Sequence, residues 1–147
     1  MKEICIPFEL ARSTKKPMSL DAGNEMISSN DRLNFHVKGA LAAHLRQRSN
    51  IEARQYVGDL EPGTSIFSKG CPCHIIVEVF PPSDRRQDAP NWYPTIKPLI
   101  DGLTDMGIFE DDNNKVITSV TFVPRQKSGT KKYLFYIRIR EGWLGGI

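Results

Sequence analysis

The stretch CHIIVEVFPP, Cys73 to Pro82, decides the fold, because it is the densest β-branched run in the chain. Such residues are enriched in strands, and a run that is apolar on both faces is typical of a strand inside a sheet. The two prolines end it, since proline cannot donate to a strand ladder. The sequence therefore predicts a central strand, followed by the polar loop SDRRQDAPN.

Downstream of this loop, an apolar stripe with helical spacing predicts a helix that begins near Pro94. Pro98 predicts that the regular hydrogen-bond ladder starts at about Thr95 or later, because proline has no N–H to donate. Gly107 suits the position just after a helix. The stripe consists of Ile96, Leu99, Ile100, Leu103 and Met106.

Two more strands, KVITSVTFVP and KKYLFYIRI, follow this helix. They are joined by the short basic connection RQKSGTK, which has Ser128 and Gly129 at its tip. A connection of this length and composition predicts an antiparallel hairpin.

Upstream, EICIPFEL alternates as a first strand does, and the polar stretch from Ala11 to Ser29 predicts a long loop. From Asn30 onward the spacing is helical, with Ser29 or Asn30 as the N-cap and a basic outer face. The sequence from Ile51 to Gly70 predicts turns.

The elements follow the order β, α, β, α, β, β, which predicts a mixed sheet flanked by helices, an α+β (α/β) fold. A length of 147 residues fits a single domain, 1–147. No run approaches the roughly 18 apolar residues of a membrane span, and the start lacks the apolar segment of a signal peptide. We therefore expect a cytoplasmic protein with no membrane partner. A formal charge of +3 allows a nucleic-acid partner without demonstrating one.

Three cysteines, Cys5, Cys71 and Cys73, are an odd number, and one residue separates the last two. Common zinc and redox motifs have two residues between their cysteines. The spacing favours buried thiols at strand starts over a metal site or a disulfide.

Acidic residues stand at both ends of the second helix, with Asp88 before it and Asp111 and Asp112 after it. The ends of this segment lie roughly 15 to 25 Å apart along the helix axis. The carboxylates therefore meet only if the flanking strands are neighbours whose ends form one rim of the sheet. Clustered carboxylates repel unless a cation intervenes, and hard oxygen ligands suit Mg²⁺ or Mn²⁺.

Lys97 and Asp101 share a face of this helix, because residues four apart are neighbours. In a metal site, Lys97 would neutralise charge on a bound phosphate. The same residues also allow a plainer interpretation. Asp111 and Asp112 would then be turn residues, Lys97 and Asp101 a surface ion pair, and Asp88 an exposed loop acid.

This segment resembles the RusA-type Holliday junction resolvases, endonucleases often encoded by phages and prophages. The family pattern is Asp, any residue, Asp-Asn, a lysine shortly after, and then DxLtxaGxxxDD leading into a strand. Here DAPN (88–91), Lys97, DGLTDMGIFEDD (101–112) and the strand KVITSVTF follow that order, and 101–112 aligns without a gap. A weaker resemblance spans Ser28 to Ile139.

The resemblance implies a homodimer that binds four-way junctions and related branched DNA on a basic surface. It implies Mg²⁺-dependent cleavage in recombination and repair, with Mn²⁺ as a substitute, and Asp88, Lys97 and Asp112 as catalytic residues. The implied metal ligands are Asp88, Asp112, Asp111, Asn91 and Asp101. Basic residues that would track phosphates are Arg32, Lys38, Arg85, Arg86, Arg125, Lys127, Lys131 and Lys132.

The chain departs from the family pattern at Pro90, which stands where the family has its second aspartate. Three extra residues also separate Asn91 from Lys97, a variant that recurs in one branch of the family. Proline binds no metal, so Asn91, Asp101 or Asp111 would have to supply the missing ligand. Two alternatives therefore stand beside the endonuclease. One is a branched-DNA-binding protein of the same fold with weak or no cleavage, and the other is a domain without a nucleic-acid partner.

Overall fold

A computed structural model describes residues 1–84 and 88–145. The order of strands and helices predicted from the sequence is confirmed within these residues. The elements are β1 (Glu3–Leu10), α1 (Phe35–Val57), β2 (Cys73–Phe80), a 3-10 helix (Ala89–Trp92), α2 (Tyr93–Asp105), β3 (Ile117–Pro124) and β4 (Tyr133–Glu141).

The four strands form one mixed sheet in the order β1-β4-β2-β3. β4 is antiparallel to both of its neighbours, whereas β3 lies parallel to β2 at the edge of the sheet. The predicted interior position of β2 and the mixed sheet are confirmed. The parallel pair is connected through α2, as a parallel pair requires a long crossover.

The predicted hairpin between the last two strands is wrong, because β2 lies between β3 and β4. The connection 125–132 crosses the end of β2, where the N–H groups of Arg125 and Ser128 donate to the carbonyls of Val79 and Pro81, both at 2.8 Å. The connection is long enough for either path. The crossover lets the alternating apolar residues of β4 pair with two strands instead of one.

The hydrophobic core lies between one face of the sheet and the two helices. Inward residues come from register-paired positions such as Ile6, Ile137 and Val77. They share one cluster with Leu45 of α1 and Leu99 of α2. The predicted covering of the sheet by helices is therefore confirmed, and both helices lie on the same face.

The start of α1 differs from the prediction, which placed the N-cap at Ser29 or Asn30. Asn34 caps the helix, because its Oδ1 accepts a hydrogen bond of 3.0 Å from the N–H of Val37. Ser29 instead donates its N–H, at 2.8 Å, and its hydroxyl, at 3.2 Å, to the carbonyl of Asn91. This bond fastens the segment before α1 to the segment before α2.

The end of α1 also differs, since the helix continues to Val57 where the sequence predicted turns from Ile51 onward. Tertiary contacts stabilise the extra turns. Ala53 is buried in the core, and the hydroxyl of Tyr56 donates to the carbonyl of Cys5 at 3.2 Å.

The predicted start of α2 is confirmed to within a residue, and Pro98 lies inside the helix. α1 and α2 run in the same general direction, since Lys38 and Pro94 line one cleft and Val57 and Met106 line another. The amino-terminal ends of both helices therefore lie together at one end of the molecule.

The long loop between β1 and α1 is anchored to α2. The buried hydroxyl of Thr95 accepts from the N–H of Ile27 at 2.8 Å and donates to its carbonyl at 2.7 Å. Within the loop, the buried Asn24 accepts from the N–H of Ser13 and donates to the carbonyl of Pro17, both at 2.7 Å.

The three thiols are free, and Cys73 is buried at the start of β2. Burial raises the pKa of Cys73 to about 12. Within the described residues, no helix combines the length and apolar composition needed to cross a membrane.

Candidate functional site

Lys97 lies between two carboxylates from different parts of the chain. Its ammonium donates to Asp101 Oδ1 at 2.6 Å, one helical turn along α2, and it also pairs with Asp112, which arrives from the link before β3. The side chains of all three residues are partly exposed, between 30% and 40%. The structure therefore brings together three of the residues singled out in the sequence.

Each partner stabilises the charge of the other. The hydrogen bond from Lys97 is the largest of the effects that hold the pKa of Asp112 below its usual value. Burial opposes the charge of Lys97, but the hydrogen bonds to Asp101 and Asp112 outweigh it and raise the pKa of the ammonium. At neutral pH Lys97 is therefore an ammonium and Asp112 a carboxylate.

The cluster forms part of the wall of a cleft of about 210 Å³ between α2 and β3. The cleft is large enough for a few water molecules or a phosphate group. It is lined by Tyr93, Lys97, Ile100, Asp112, Asn114, Ile117, Ser119 and Val120.

Ser119 is the residue of this cleft that the sequence did not reveal. Its hydroxyl is buried and has no hydrogen-bond partner, the one such side-chain atom among the described residues. Buried hydroxyls are normally satisfied, so an orphan in the wall of a cleft suggests a polar group that binds there. The pairing of β3 with β2 is irregular beside Ser119, where Ile117 to Val120 oppose Cys73 to Ile75.

The other acids behave as ordinary loop residues. Asp111 Oδ1 accepts from the N–H of Asp112 at 2.7 Å, and Asp111 Oδ2 accepts from Asn113 at 3.3 Å. Asp88 is exposed, and within residues 1–84 and 88–145 its carboxylate makes no hydrogen bond or ion pair. Asn91 contributes its backbone carbonyl to Ser29. None of these three forms a hydrogen bond or ion pair with Lys97.

The route by which strand ends would join Asp88 and Asp112 is wrong. It needs the end of β2 and the start of β3 at one rim of the sheet, as in an antiparallel pair. Because β2 and β3 are parallel, the end of β2 and the start of β3 lie at opposite ends of the two strands. Asp112 reaches Lys97 because the link after α2 returns alongside the helix.

Four of the predicted DNA-binding residues form two groups at the end of the molecule where α1 and α2 begin. Arg32 and Lys38 are exposed and line a cleft of about 150 Å³ beside Pro94. Lys131 and Lys132 are exposed on the connection that crosses the end of β2.

Two further predicted DNA-binding residues already have acidic partners. Arg125 donates to Glu78 at 2.6 Å, and Lys127 lies 3.4 Å from Asp84. Arg85 and Arg86 lie outside the described residues.

The two carboxylates beside Lys97 are arranged in a way that suits a magnesium ion. Asp101 and Asp112 already converge on a single cation, the ammonium of Lys97. Mg²⁺ in proteins is commonly held by one or two carboxylates and several waters. Within the described residues, no three His, Cys, Asp or Glu side chains are grouped so as to hold a metal ion.

A scan against models of known protein families finds no match for this chain. A search of curated proteins also finds no match.

Proposed function

We propose that this protein is a Mg²⁺-dependent, structure-selective endodeoxyribonuclease of the RusA type that resolves four-way junctions or related branched DNA by phosphodiester hydrolysis. The contact between Lys97 and Asp112 carries the proposal. These residues are 15 positions apart, and they match the lysine and the final aspartate of the family motif. The plainer interpretation makes Asp112 only a turn residue, and its pairing with Lys97 goes beyond that role.

The roles of the residues follow from their charges. Lys97 would transfer its hydrogen bonds from the carboxylates to a phosphate oxygen and neutralise charge that builds up during hydrolysis. Asp101 and Asp112 would hold Mg²⁺, which supplies Lewis-acid polarisation of the phosphate when bound. The exposed Arg32, Lys38 and Lys131 would hold the flanking phosphates.

The test is cleavage of a synthetic four-way junction with Mg²⁺, with EDTA and with Mn²⁺. The proposal predicts nicks in the wild-type reaction with either metal and none with EDTA. Asp112→Asn is expected to reduce the cleavage rate at least about 100-fold, because it removes a charge that the reaction needs.

Asp105→Asn is the matched control. Asp105 is also on α2 and is also in an ion pair, but its partner is Arg46, at 2.5 Å, and it does not line the cleft of Lys97. Its cleavage rate is expected to stay near that of the wild type. Equal rates for Asp112→Asn and wild type, with folding intact, would contradict the assignment of Asp112.

A second candidate is a branched-DNA-binding protein of the same fold that cleaves weakly or not at all. Two observations favour it: Pro90 occupies the position of a family ligand, and the carboxylate of Asp88 forms no hydrogen bond or ion pair with Lys97. This candidate predicts salt-dependent binding of a four-way junction without nicking in Mg²⁺ or Mn²⁺.

The proposal includes a homodimer in the cytoplasm of a bacterial or phage-infected cell. A dimer would present two Lys97 clusters to one junction, as symmetric cleavage of two strands requires. Sedimentation of the pure protein tests this point independently of cleavage, and a monomer at micromolar concentration would contradict it.

A further inference from the structure

Phe35 is an exposed aromatic residue at the first position of α1. Its side chain is 77% exposed, more than any other large apolar residue except Met1 among the described residues. The ring lies against the imidazole of His36, with centroids 4.0 Å apart and planes tilted by 32°. Both side chains are exposed, so aromatic surface of the pair faces the solvent.

The surroundings of this aromatic pair are basic. Arg32 and Lys38 are exposed on either side of it in the chain, and Lys38 is three residues beyond Phe35 on the same helix face. The first turn of α1 contains no acidic residue. The nearby Asp31 is already neutralised by two hydrogen bonds from Arg12, at 2.6 and 2.7 Å.

The same helix face leads from Phe35 toward the candidate site. Gly39 and Ala42, four and seven residues beyond Phe35, line a groove of about 280 Å³ together with Pro98 and Asp101 of α2. Asp101 is the carboxylate that accepts from Lys97 at 2.6 Å. The groove therefore lies between the helix face of Phe35 and Asp101, the hydrogen-bond partner of Lys97.

We propose that Phe35 and His36 form a stacking surface for an unpaired base of branched nucleic acid, with Arg32 and Lys38 on the flanking phosphates. An exposed aromatic ring between exposed cations has the chemistry of single-strand contacts, where rings bind bases and cations bind the backbone. The inference rests on the proposed function for its ligand. It adds a base-stacking residue remote from the Lys97 cluster.

The experiment uses the full-length protein and a four-way junction with 2-aminopurine at the branch point, in EDTA so that no cleavage occurs. Wild type is expected to change the 2-aminopurine fluorescence, since stacking on an aromatic ring quenches it. Phe35→Ala is expected to lose most of this change and to bind the junction roughly 5- to 100-fold more weakly, the range for losing one base stack. Phe35→Trp is expected to restore both.

Salt titration separates stacking from charge. Phe35→Ala should weaken binding at every salt concentration with an unchanged slope, whereas Lys38→Ala should reduce the slope by about one. Ile51→Ala is the control, because Ile51 is also on α1 and is 49% exposed but lies far from the basic end. It should bind as wild type does.

The outcomes distinguish this inference from the proposed function. Junction binding by wild type with an unaltered affinity and fluorescence change in Phe35→Ala overturns the inference and leaves the nuclease proposal standing. A Phe35→Ala protein that loses self-association without DNA also overturns it, because a second copy then covers the ring. Absence of any junction binding by wild type overturns both, whereas binding without cleavage overturns only the nuclease proposal.

Discussion

Gly102 of α2 lies so close to Ser49 of α1 that a β-carbon added to the glycine would be 2.6 Å from Ser49 Cβ. The carbonyl oxygen of Arg46 would be nearer still, and neither group is a flexible side-chain end. Gly102→Ala is therefore expected to push the helices apart. We predict a loss of about 1–3 kcal/mol in the free energy of unfolding, measured by urea denaturation, although alanine is the better helix former.

Gly39→Ala is the matched control for this prediction. Gly39 is also inside a helix, and apart from its chain neighbours and nearby helix backbone, no atom of the described residues lies within 4 Å of the position that a β-carbon would take. The substitution is expected to stabilise the protein by up to about 1 kcal/mol through helix propensity alone. A stabilising Gly102→Ala would show that the two helices are not packed as described.

Ser119→Ala is expected to raise the free energy of unfolding by about 1 kcal/mol. The wild-type hydroxyl is buried without a hydrogen-bond partner among the described residues, and removing an unsatisfied buried polar group recovers its desolvation cost. Thermal or urea unfolding measures the change.

Ser49→Ala is the matched control for Ser119→Ala, because it removes a buried hydroxyl that does have a hydrogen-bond partner. The hydroxyl of Ser49 is also buried, but it donates to the carbonyl of Leu99 at 2.5 Å. Its removal should therefore lower stability by about 1 kcal/mol. Equal losses for both serines would mean that Ser119 has a partner in solution.

The fold was largely predictable because each strand can be recognised from the pattern of its own side chains. β2 is a dense apolar run, and β1 and β4 alternate, so their positions follow from side-chain period. The strand order was not predictable in the same way, since the connection 125–132 fits a hairpin as well as a crossover. The start of α1 was missed because Ser29 and Asn34 are both good caps, and Asn91 engages the first of them.

The site was predictable in part for a related reason. The Lys97–Asp101 pair follows from helical spacing, but the approach of Asp112 depends on the path of the link after α2. Asp88 was expected at the same place through neighbouring strand ends, which the parallel register rules out. The orphan hydroxyl of Ser119 has no sequence signal, because burial without a partner arises only from packing.

Asn24→Ala is expected to release the loop between β1 and α1 while the rest of the fold persists. Asn24 is 1% exposed, and its amide makes hydrogen bonds with the backbone of Ser13 and Pro17. Losing these bonds should raise the fraction of molecules in which the loop between β1 and α1 is detached at least about tenfold. Tryptic cleavage after the exposed Lys15 should accelerate accordingly. Asn50→Ala, which removes a bond of 2.8 Å to Gly102 outside the loop, should leave this rate unchanged.

Glu78 gives the protein a pH-dependent ion pair on the sheet face that the helices leave open. Its side chain is 8% exposed and accepts from Arg125 at 2.6 Å and from Arg138. Burial disfavours the carboxylate, but the two arginines outweigh it and hold the pKa of Glu78 below its usual value. Glu78→Gln should therefore lower the free energy of unfolding at pH 7 by about 1–3 kcal/mol.

The sign of the pH dependence follows from the lowered pKa. A carboxyl with a folded-state pKa below its unfolded value stabilises the fold above the unfolded pKa of about 4.3, and this stabilisation is lost as the pH falls through the folded pKa. The difference in the free energy of unfolding between wild type and Glu78→Gln should thus be largest at pH 7 and should disappear at lower pH. Urea unfolding at several pH values from 7 to 3 measures this difference. Glu3→Gln, at an exposed pair with Arg140, should show little gap at any pH. A gap for Glu78→Gln that persists unchanged at pH 3 would mean that the charge of Glu78 is not what stabilises the open face.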